Sequence, residues 1–235
     1  MANRDSQEPI GQERPDTSAS TGSSPAGPGQ ARSQWKAHPH LLTFAVTVLV
    51  VWLVGTYAYI YFSPRLLYNR LENAVVQHGL GGSGSLGIPP NTLYTMPTLA
   101  SPSQSNSLES TGNRDTLYTV GWLDLSKGPE VLHVPDMAGR YYAVQFTDPW
   151  GTVFAYVGRR TTGTQAGDYL ISGPGWQGTV PAGVTQQIVA PDNTILLIGR
   201  TLVESDSDLA TAYGLAKQIQ VTPLSQWQPS HLPGQ

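Results

Sequence analysis

The sequence predicts a mainly β fold: an antiparallel β-sandwich or jelly-roll-like domain with one C-terminal helix, preceded by one transmembrane helix. Three observations lead to this prediction. An uncharged apolar segment of 22 residues lies near the N-terminus, seven short β-prone runs follow it, and a single amphipathic helical stripe comes after them. The regular alternation of strands and helices that a doubly wound parallel sheet needs is absent from the sequence.

Charge and cysteine content exclude several classes of protein. The 235 residues include 13 Lys and Arg, 16 Asp and Glu and no Cys, which gives a net charge of −3. A nucleic-acid partner is not expected, because such binding depends on basic surface that neutralises phosphates. Without cysteine the chain has no disulfide framework, cysteine nucleophile or iron–sulfur site.

Residues 1–40 are predicted to form a disordered tail. Between Met1 and Gln34, Ile10 is the only member of the Leu, Ile, Val and Phe group. Such a segment cannot bury enough apolar surface to offset the entropy lost on ordering.

Residues 41–62, LLTFAVTVLVVWLVGTYAYIYF, are predicted to form a single transmembrane helix, so the lipid bilayer is an expected partner. The segment carries no charge and is long enough to cross a hydrocarbon core of about 30 Å. Its tyrosines cluster at the C-terminal end, where aromatic rings can lie among head groups. The basic residues on the two flanks balance, and we place the C-terminal part outside the cytoplasm because an uncleaved anchor usually displays the domain behind it.

Residues 63–89 are predicted to form a stalk helix and a Gly/Ser linker. Ser63 and Pro64 are typical of an N-cap followed by proline at the first helical position, and apolar residues then recur at helical spacing. The run GLGGSGSLG, from Gly79 to Gly87, has the composition of a flexible hinge.

Residues 90–227 are predicted to form the folded β-rich domain, and residues 228–235 a flexible C-terminus. One helix is expected from Asp208 to Gln220, where apolar side chains form a single stripe. Between the runs lie turn residues such as DMAG, DPWG and PDN. The β-prone runs are TLYTVGWLDL, PEVLHV, RYYAVQFTD, TVFAYVG, DYLISG, VTQQIVA and TILLIGRTL.

The run RYYAVQFTD shows the period-two pattern of a half-buried strand. Tyr142, Val144 and Phe146 are expected to face one way. The other face is expected to carry Tyr141, Ala143 and Gln145.

Three long strings, NRDTLYTVGWLDL (113–125), VPDMAGRYYAVQFTDPWG (134–151) and GRRTTGTQAGDYLISGPGW (158–176), closely resemble the domain of unknown function 1254 family. The resemblance covers roughly residues 110–227 and implies a β-rich module with no established activity. In that family the module is commonly followed by a second one, the domain of unknown function 1214, for which the chain up to Gln235 has no room. The resemblance therefore implies either a separate companion chain that supplies the second module, and so is a partner, or a reduced role for this copy.

Polar residues at the ends of the predicted strands are the candidate ligand-binding residues. Carboxylates near guanidinium groups can bind a sugar or a phosphorylated ligand, or act as an acid and base pair. The alternative is that the aspartates stabilise turns by accepting backbone N–H bonds. The candidates are Asn113, Asp115, Asp148, Arg159, Arg160 and Asp168.

Other polar residues favour structural roles. Glu204, Asp206 and Asp208 lie at the start of the predicted helix and are expected to cap it rather than bind calcium. His133 is expected to be a packed or surface side chain, and Arg140 and Arg200 are expected to be paired surface arginines. No metal site and no cofactor are predicted.

These observations predict a single-pass, membrane-anchored β-sandwich that serves as a binding or assembly module at the cell envelope. The alternative is a membrane-anchored hydrolase of envelope carbohydrate or ester that uses the candidate aspartates with arginine. The sequence leaves open whether the protein is an enzyme.

Overall fold

The structure, a computed structural model, describes residues 39–79, 86–99 and 113–229. The chain divides into two compact units, Met1–Leu49 and Val50–Gln235. In the described residues the second unit is mainly β. The elements are α1 (Pro39–His78), β1 (Tyr94–Thr95), β2 (Thr116–Asp124), β3 (Glu130–Val134), β4 (Tyr142–Thr147), β5 (Val153–Gly158), β6 (Gly167–Ser172), β7 (Gln186–Val189), β8 (Thr194–Leu202), α2 (Leu209–Ala216) and β9 (Gln220–Pro223), with a 3₁₀ turn at Asp206–Asp208 before α2.

The strands form two sheets. Sheet A has the order β1-β2-β8-β4-β5, and all of its neighbouring strands are antiparallel. Sheet B has the order β7-β6-β3-β9, in which β6 and β7 pair in parallel. The expected all-antiparallel arrangement is therefore wrong at this one pair. Parallel strands need a long crossover connection, and the segment from Gly173 to Thr185 is long enough to bring the start of β7 beside the start of β6.

Both sheets contribute side chains to one hydrophobic core. Each predicted β-prone run overlaps an observed strand, and the alternation predicted for β4 is confirmed. Tyr142, Val144 and Phe146 are completely or almost completely buried. They pack with residues of sheet B such as Leu132 and Ile171. The two sheets thus bury their facing sides against each other.

Helix α1 is continuous, and the predicted helix start at Ser63 and Pro64 is wrong. Proline at this position cannot donate to the carbonyl oxygen of Ile60, which normally costs a helical hydrogen bond. The Ser63 hydroxyl donates to that same oxygen at 3.2 Å. The serine therefore satisfies the acceptor that the proline leaves open, and the helix runs on to His78.

The C-terminal helix is shorter than predicted. Helix α2 ends at Ala216, and Gln220 already belongs to β9, which pairs with β3. Ile219 fits the apolar stripe of the helix but is buried in the core shared by the sheets. Its position depends on a strand pairing distant in sequence, which a local pattern cannot reveal.

Four predicted segments lie partly outside the described residues, among them the β-rich domain at residues 100–112. Of the tail predicted at 1–40, only 39 and 40 are described, and of the C-terminus predicted at 228–235, only 228 and 229. The central part of the predicted linker, residues 80–85, also lies outside them. Its two described ends meet at one atom, because the backbone N–H groups of Gly79 and Ile88 both donate to the carbonyl oxygen of Val75.

Candidate functional site

The C-terminal half of α1 covers part of the outer face of sheet A. Tyr68 lies edge-on against Trp122 of β2, with ring centroids 6.2 Å apart. Tyr68 and Val75 share a buried cluster with Trp122, Val120 and Leu196. This helix segment is therefore part of the folded unit that begins at Val50.

The uncovered part of the same face forms an open groove, called here the sheet A groove. Its volume is about 310 Å³. A second cavity of about 360 Å³ adjoins it and shares Tyr141 and Arg200 with it. The side chains and backbone that define the groove belong to Tyr141, Gln145, Tyr156, Gly158, Arg160 and Arg200.

Strand register explains why these residues meet. Arg200 on β8 lies opposite Ala143 on β4 and opposite Tyr118 on β2. Ala143 is in turn opposite Gly158 of β5. A Cβ atom at Gly158 would lie 2.6 Å from the carbonyl oxygen of Tyr142, so the close approach requires glycine. Ala143 and Gly158, which are both small, therefore form the bottom of the groove between longer side chains.

Two guanidinium groups give the groove its charge. The Arg160 guanidinium carbon lies 5.9 Å from the ring centroid of Tyr141, and that of Arg200 lies 5.6 Å from that of Tyr118. Within the described ranges neither guanidinium group forms an ion pair or a hydrogen bond. Each guanidinium group lies against an aromatic ring, and its N–H groups are available to a ligand.

A glutamine and a tyrosine complete the wall of the groove. The Tyr156 hydroxyl donates to Oε1 of Gln145 at 3.4 Å, and Nε2 of Gln145 donates to the Thr147 hydroxyl at 3.0 Å. Tyr156 is 47% exposed. An exposed tyrosine ring beside amide and guanidinium donors is a surface on which a sugar ring can stack while its polar groups are bound.

The structure brings three of the six predicted site residues to this region. Arg160 lines the groove, and Asn113 and Asp115 line the adjoining cavity. The Asn113 side chain also organises the start of β2, since its Oδ1 accepts from the backbone N–H of Thr116 at 3.1 Å. Asp115 is exposed.

The other three predicted residues lie elsewhere. Asp148 is in the turn between β4 and β5, where its Oδ1 accepts from the backbone N–H groups of Trp150 and Thr152 at 2.9 and 2.8 Å. Asp168 lies on sheet B, and Arg159 is exposed outside the groove. The three aspartates therefore do not form a common pocket.

His133 and Asp168 form a cross-strand pair on sheet B. Nδ1 of His133 lies 2.7 Å from Oδ1 of Asp168, and the two residues are direct partners in the register of β3 and β6. The aspartate is buried and the histidine half-buried. Among the described residues, Asp168 is the predicted site residue that contacts His133.

Arg140 is paired with Asp208 and its side chain is largely buried, and Asp208 is not a side-chain cap of the kind predicted. Nη2 of Arg140 donates to Oδ1 of Asp208 at 2.7 Å, and Nη1 donates to Oδ2. Asp208 precedes α2 but makes no capping hydrogen bond to it. Its other bond is from the backbone N–H of Glu204. The Arg140 guanidinium, together with that N–H, lowers the pKa of Asp208 to about 2.

Sequence reasoning missed most of the groove. The sequence predicts Arg200 only as a paired surface arginine, and the candidate ligand-binding residues include neither Gln145 nor Tyr156. Their signal was the outward half of the strand alternation, since Tyr141, Ala143 and Gln145 are the residues predicted to face away from the core. In the part of the chain that the structure describes, no group of three His, Asp or Glu side chains could hold a metal ion.

Together these features define a class of protein: a mainly β module of two sheets, joined to one long apolar helix and carrying an arginine- and tyrosine-lined groove. The sequence model of the family described as "Protein of unknown function (DUF1254)" matches residues 90–223. The chain belongs to this family. The companion domain of unknown function 1214 is not found in it, and among curated proteins no match is found.

The solved structures similar to this chain include two whose likeness is as follows. The VPA0106 protein from Vibrio parahaemolyticus is 28% identical, with a TM-score of 0.57, over 74% of this chain and 40% of that one. An uncharacterized protein from Burkholderia cenocepacia is 14% identical, with a TM-score of 0.36, over 58% of this chain and 36% of that one. This chain spans less than half the length of either protein.

Proposed function

We propose that the protein is a single-pass, membrane-anchored binding module of the cell envelope. Its two sheets act as a β-sandwich that displays the sheet A groove outside the cytoplasm, and the groove binds an acidic carbohydrate. A separate chain resembling the domain of unknown function 1214 is the proposed companion subunit, because family members commonly carry both modules.

The apolar half of α1 supports the anchor. Among the described residues, α1 is the one helix that is long and apolar enough to cross a membrane. Its side chains from Leu41 to Phe62 are largely exposed rather than packed against protein. Exposed apolar surface of this extent is costly in water and favourable in lipid.

The unpaired arginines of the groove are the observation that carries the binding proposal. Charge-assisted hydrogen bonds from guanidinium to carboxylate are stronger than those between neutral groups. Arg160 and Arg200 can supply such bonds to an acidic group, while Tyr156 offers a ring face to a sugar. The combination favours an acidic saccharide over a neutral one.

Calorimetric titration of the full chain in detergent micelles tests the ligand class. The probe is a disaccharide of glucuronate and N-acetylglucosamine, and N,N′-diacetylchitobiose is the neutral comparison. We expect the acidic disaccharide to bind and the Arg200→Gln substitution to weaken its binding about tenfold.

Arg159→Gln is the matched control, since Arg159 is exposed next to the groove residue Arg160 without lining the groove. It should leave the affinity unchanged. Equal binding of the two disaccharides, absence of binding, or equal effects of the two substitutions would each contradict the proposed site.

Alkaline extraction of membranes tests the anchor. The full chain should stay in the membrane pellet, and the double substitution Val50→Asp and Leu53→Asp should release it, because each charge at the centre of a span costs about 3 kcal/mol. Leu66→Asp with Leu67→Asp is the control, since both residues follow the predicted span. Recovery of the unaltered chain in the soluble fraction would contradict the anchor.

The hydrolase alternative has no comparable support. It predicts that Asp115, Asp148 and Asp168 meet in one pocket with arginine, and they lie at a strand start, in a turn and on the other sheet. We therefore favour the binding module.

A further inference from the structure

The turn between β4 and β5 carries an exposed tryptophan that contacts α1. Trp150 is 37% exposed, and its ring centroid lies 5.3 Å from that of Tyr61 and 6.3 Å from that of Phe62. Tyr61 and Phe62 are the last two residues of the uncharged apolar segment. A turn of the β domain thus lies beside the helix at the point where the apolar segment ends.

Arg65 of α1 contacts Trp150 and also a second turn of the β domain. Its guanidinium carbon lies 5.4 Å from the Trp150 ring centroid, and its Nη1 lies 3.4 Å from Oδ2 of Asp192, in the turn between β7 and β8. Asp192 also fixes its own turn, since its Oδ1 accepts from the backbone N–H of Thr194 at 3.1 Å. We call these two turns, with residues 61–65 of α1, the turn rim.

The position of Trp150 is fixed by its turn. Asp148 accepts two backbone N–H bonds from the chain on either side of Gly151, including that of Trp150 itself. Gly151 has a φ of 82°, which a residue with a side chain rarely adopts. The turn therefore holds the indole outward, and Val153, the first residue of β5, is 37% exposed next to it.

We propose that the turn rim lies in the lipid head-group layer and seats the β domain on the membrane surface. The inference rests on the proposed anchor. A helix rises 1.5 Å per residue, so residues 41–62 span about 33 Å, slightly more than a hydrocarbon core of about 30 Å. Tyr61 and Phe62 then lie at the boundary, where tryptophan, tyrosine and arginine are the side chains that bind the interface best.

This placement also predicts how the sheet A groove is oriented relative to the membrane. On β4, Thr147 adjoins the turn rim, whereas Tyr141, just before the strand, lines the groove. The groove runs along β4 from Gln145, near the turn rim, to Tyr141, so its Tyr141 end lies away from the lipid, where a carbohydrate outside the membrane can reach it.

Depth measurement with single spin labels tests the proposal, and the absence of native cysteine makes each label unique. The full chain is reconstituted in vesicles of phosphatidylcholine and phosphatidylglycerol. Labels are placed by Tyr57→Cys in the proposed span, Val153→Cys at the turn rim, and Gln165→Cys in the exposed loop between β5 and β6. Collisions with oxygen, which dissolves in lipid, and with a water-soluble nickel complex report depth.

We expect the label at Val153 to collide with the nickel complex severalfold less often than the label at Gln165, and with oxygen more often. The Trp150→Ser substitution should move the Val153 label toward water, whereas Trp176→Ser, in the loop between β6 and β7, should not. If the Tyr57 label lies in lipid but the Val153 and Gln165 labels are equally wet, the turn rim assignment is wrong and the anchor stands.

Two other results would also overturn the assignment. A Val153 label shielded from both reagents would indicate a protein partner on the turn rim instead of lipid. A Tyr57 label as wet as that at Gln165 would remove the proposed anchor and the turn rim together.

Discussion

Glu130, the first residue of β3, is a buried carboxyl group. It is 3% exposed, and its Oε1 accepts from Nδ2 of Asn91 at 2.8 Å. Its Oε2 has no hydrogen-bond partner among the described residues. Burial, with a smaller effect from nearby Asp124, raises the pKa of Glu130 to about 7. Because burial removes water from the carboxylate, it favours the protonated form of Glu130 over the charged form.

The raised pKa of Glu130 predicts a pH-dependent stability. The folded chain holds this proton up to about pH 7, whereas the unfolded chain loses it near the ordinary pKa of 4.5. The stabilising effect is therefore complete below pH 4.5 and is lost as the pH rises through 7, a change of about 3 kcal/mol. Glu130→Gln should abolish this pH dependence, measured by thermal unfolding of the full chain in micelles between pH 4 and 8.

The same cluster makes Asn91 a second test at the residue scale. Nδ2 of Asn91 also donates to the carbonyl oxygen of Asp124, and its Oδ1 accepts from the Asp124 N–H at 2.6 Å. Its φ is 59°, a left-handed conformation. Asn91→Ala should lower the free energy of unfolding by about 3 kcal/mol, combining lost hydrogen bonds with backbone strain.

Asn91→Gly separates the two contributions. It removes the same side chain but fits the left-handed backbone, so it should be about 1 kcal/mol more stable than Asn91→Ala. Equal unfolding free energies for the two variants would show that the backbone conformation contributes nothing.

At the scale of elements, packing against sheet A stabilises the C-terminal part of α1. Tyr68 is 6% exposed and packs on Trp122, whereas its neighbour Leu67 is 68% exposed. Tyr68→Ala should cost about 3 kcal/mol through the cavity it leaves, and Leu67→Ala less than about 0.5 kcal/mol. Hydrogen exchange should show faster amide exchange across residues 66–78 in the first variant only. Equal exchange in both would contradict the packing.

The strands could be predicted from the sequence because their evidence is local. Alternation in β4 and turn residues between runs do not depend on the rest of the chain. The end of α2, the strand β9 and the parallel pairing of β6 with β7 depend on partners distant in sequence. The continuity of α1 depends on one hydroxyl, that of Ser63, which satisfies a carbonyl that a proline leaves free.

The site was harder to predict for the same reason. Asp148 is a candidate because it is a polar residue at a strand end, but its side chain stabilises its own turn. Arg200 and Tyr156 lie on different strands, and only the order of strands in sheet A brings them to one groove. A single sequence carries the alternation of each strand but not that order.

At the scale of the whole molecule, the folded unit needs part of α1. Val120, Trp122 and Leu196 are buried against Tyr68 and Val75. A fragment of residues 63–229 should be soluble and unfold cooperatively, whereas one of residues 90–229 should aggregate because this apolar face becomes exposed. Size-exclusion chromatography and calorimetry of the two fragments distinguish these outcomes. A monomeric, cooperatively unfolding 90–229 fragment would contradict the prediction.

Because one helix belongs both to the proposed span and to the core, the order of synthesis matters. In the proposed topology, the ribosome delivers α1 to the membrane long before it makes β8, which begins at Thr194. Until then Tyr68 and Val75 have no sheet to pack against. During synthesis, the membrane-inserted nascent chain therefore exposes the apolar surface of α1 at Tyr68 and Val75 for a time. The yield of folded protein in a cell will depend on how well chaperones cover this surface.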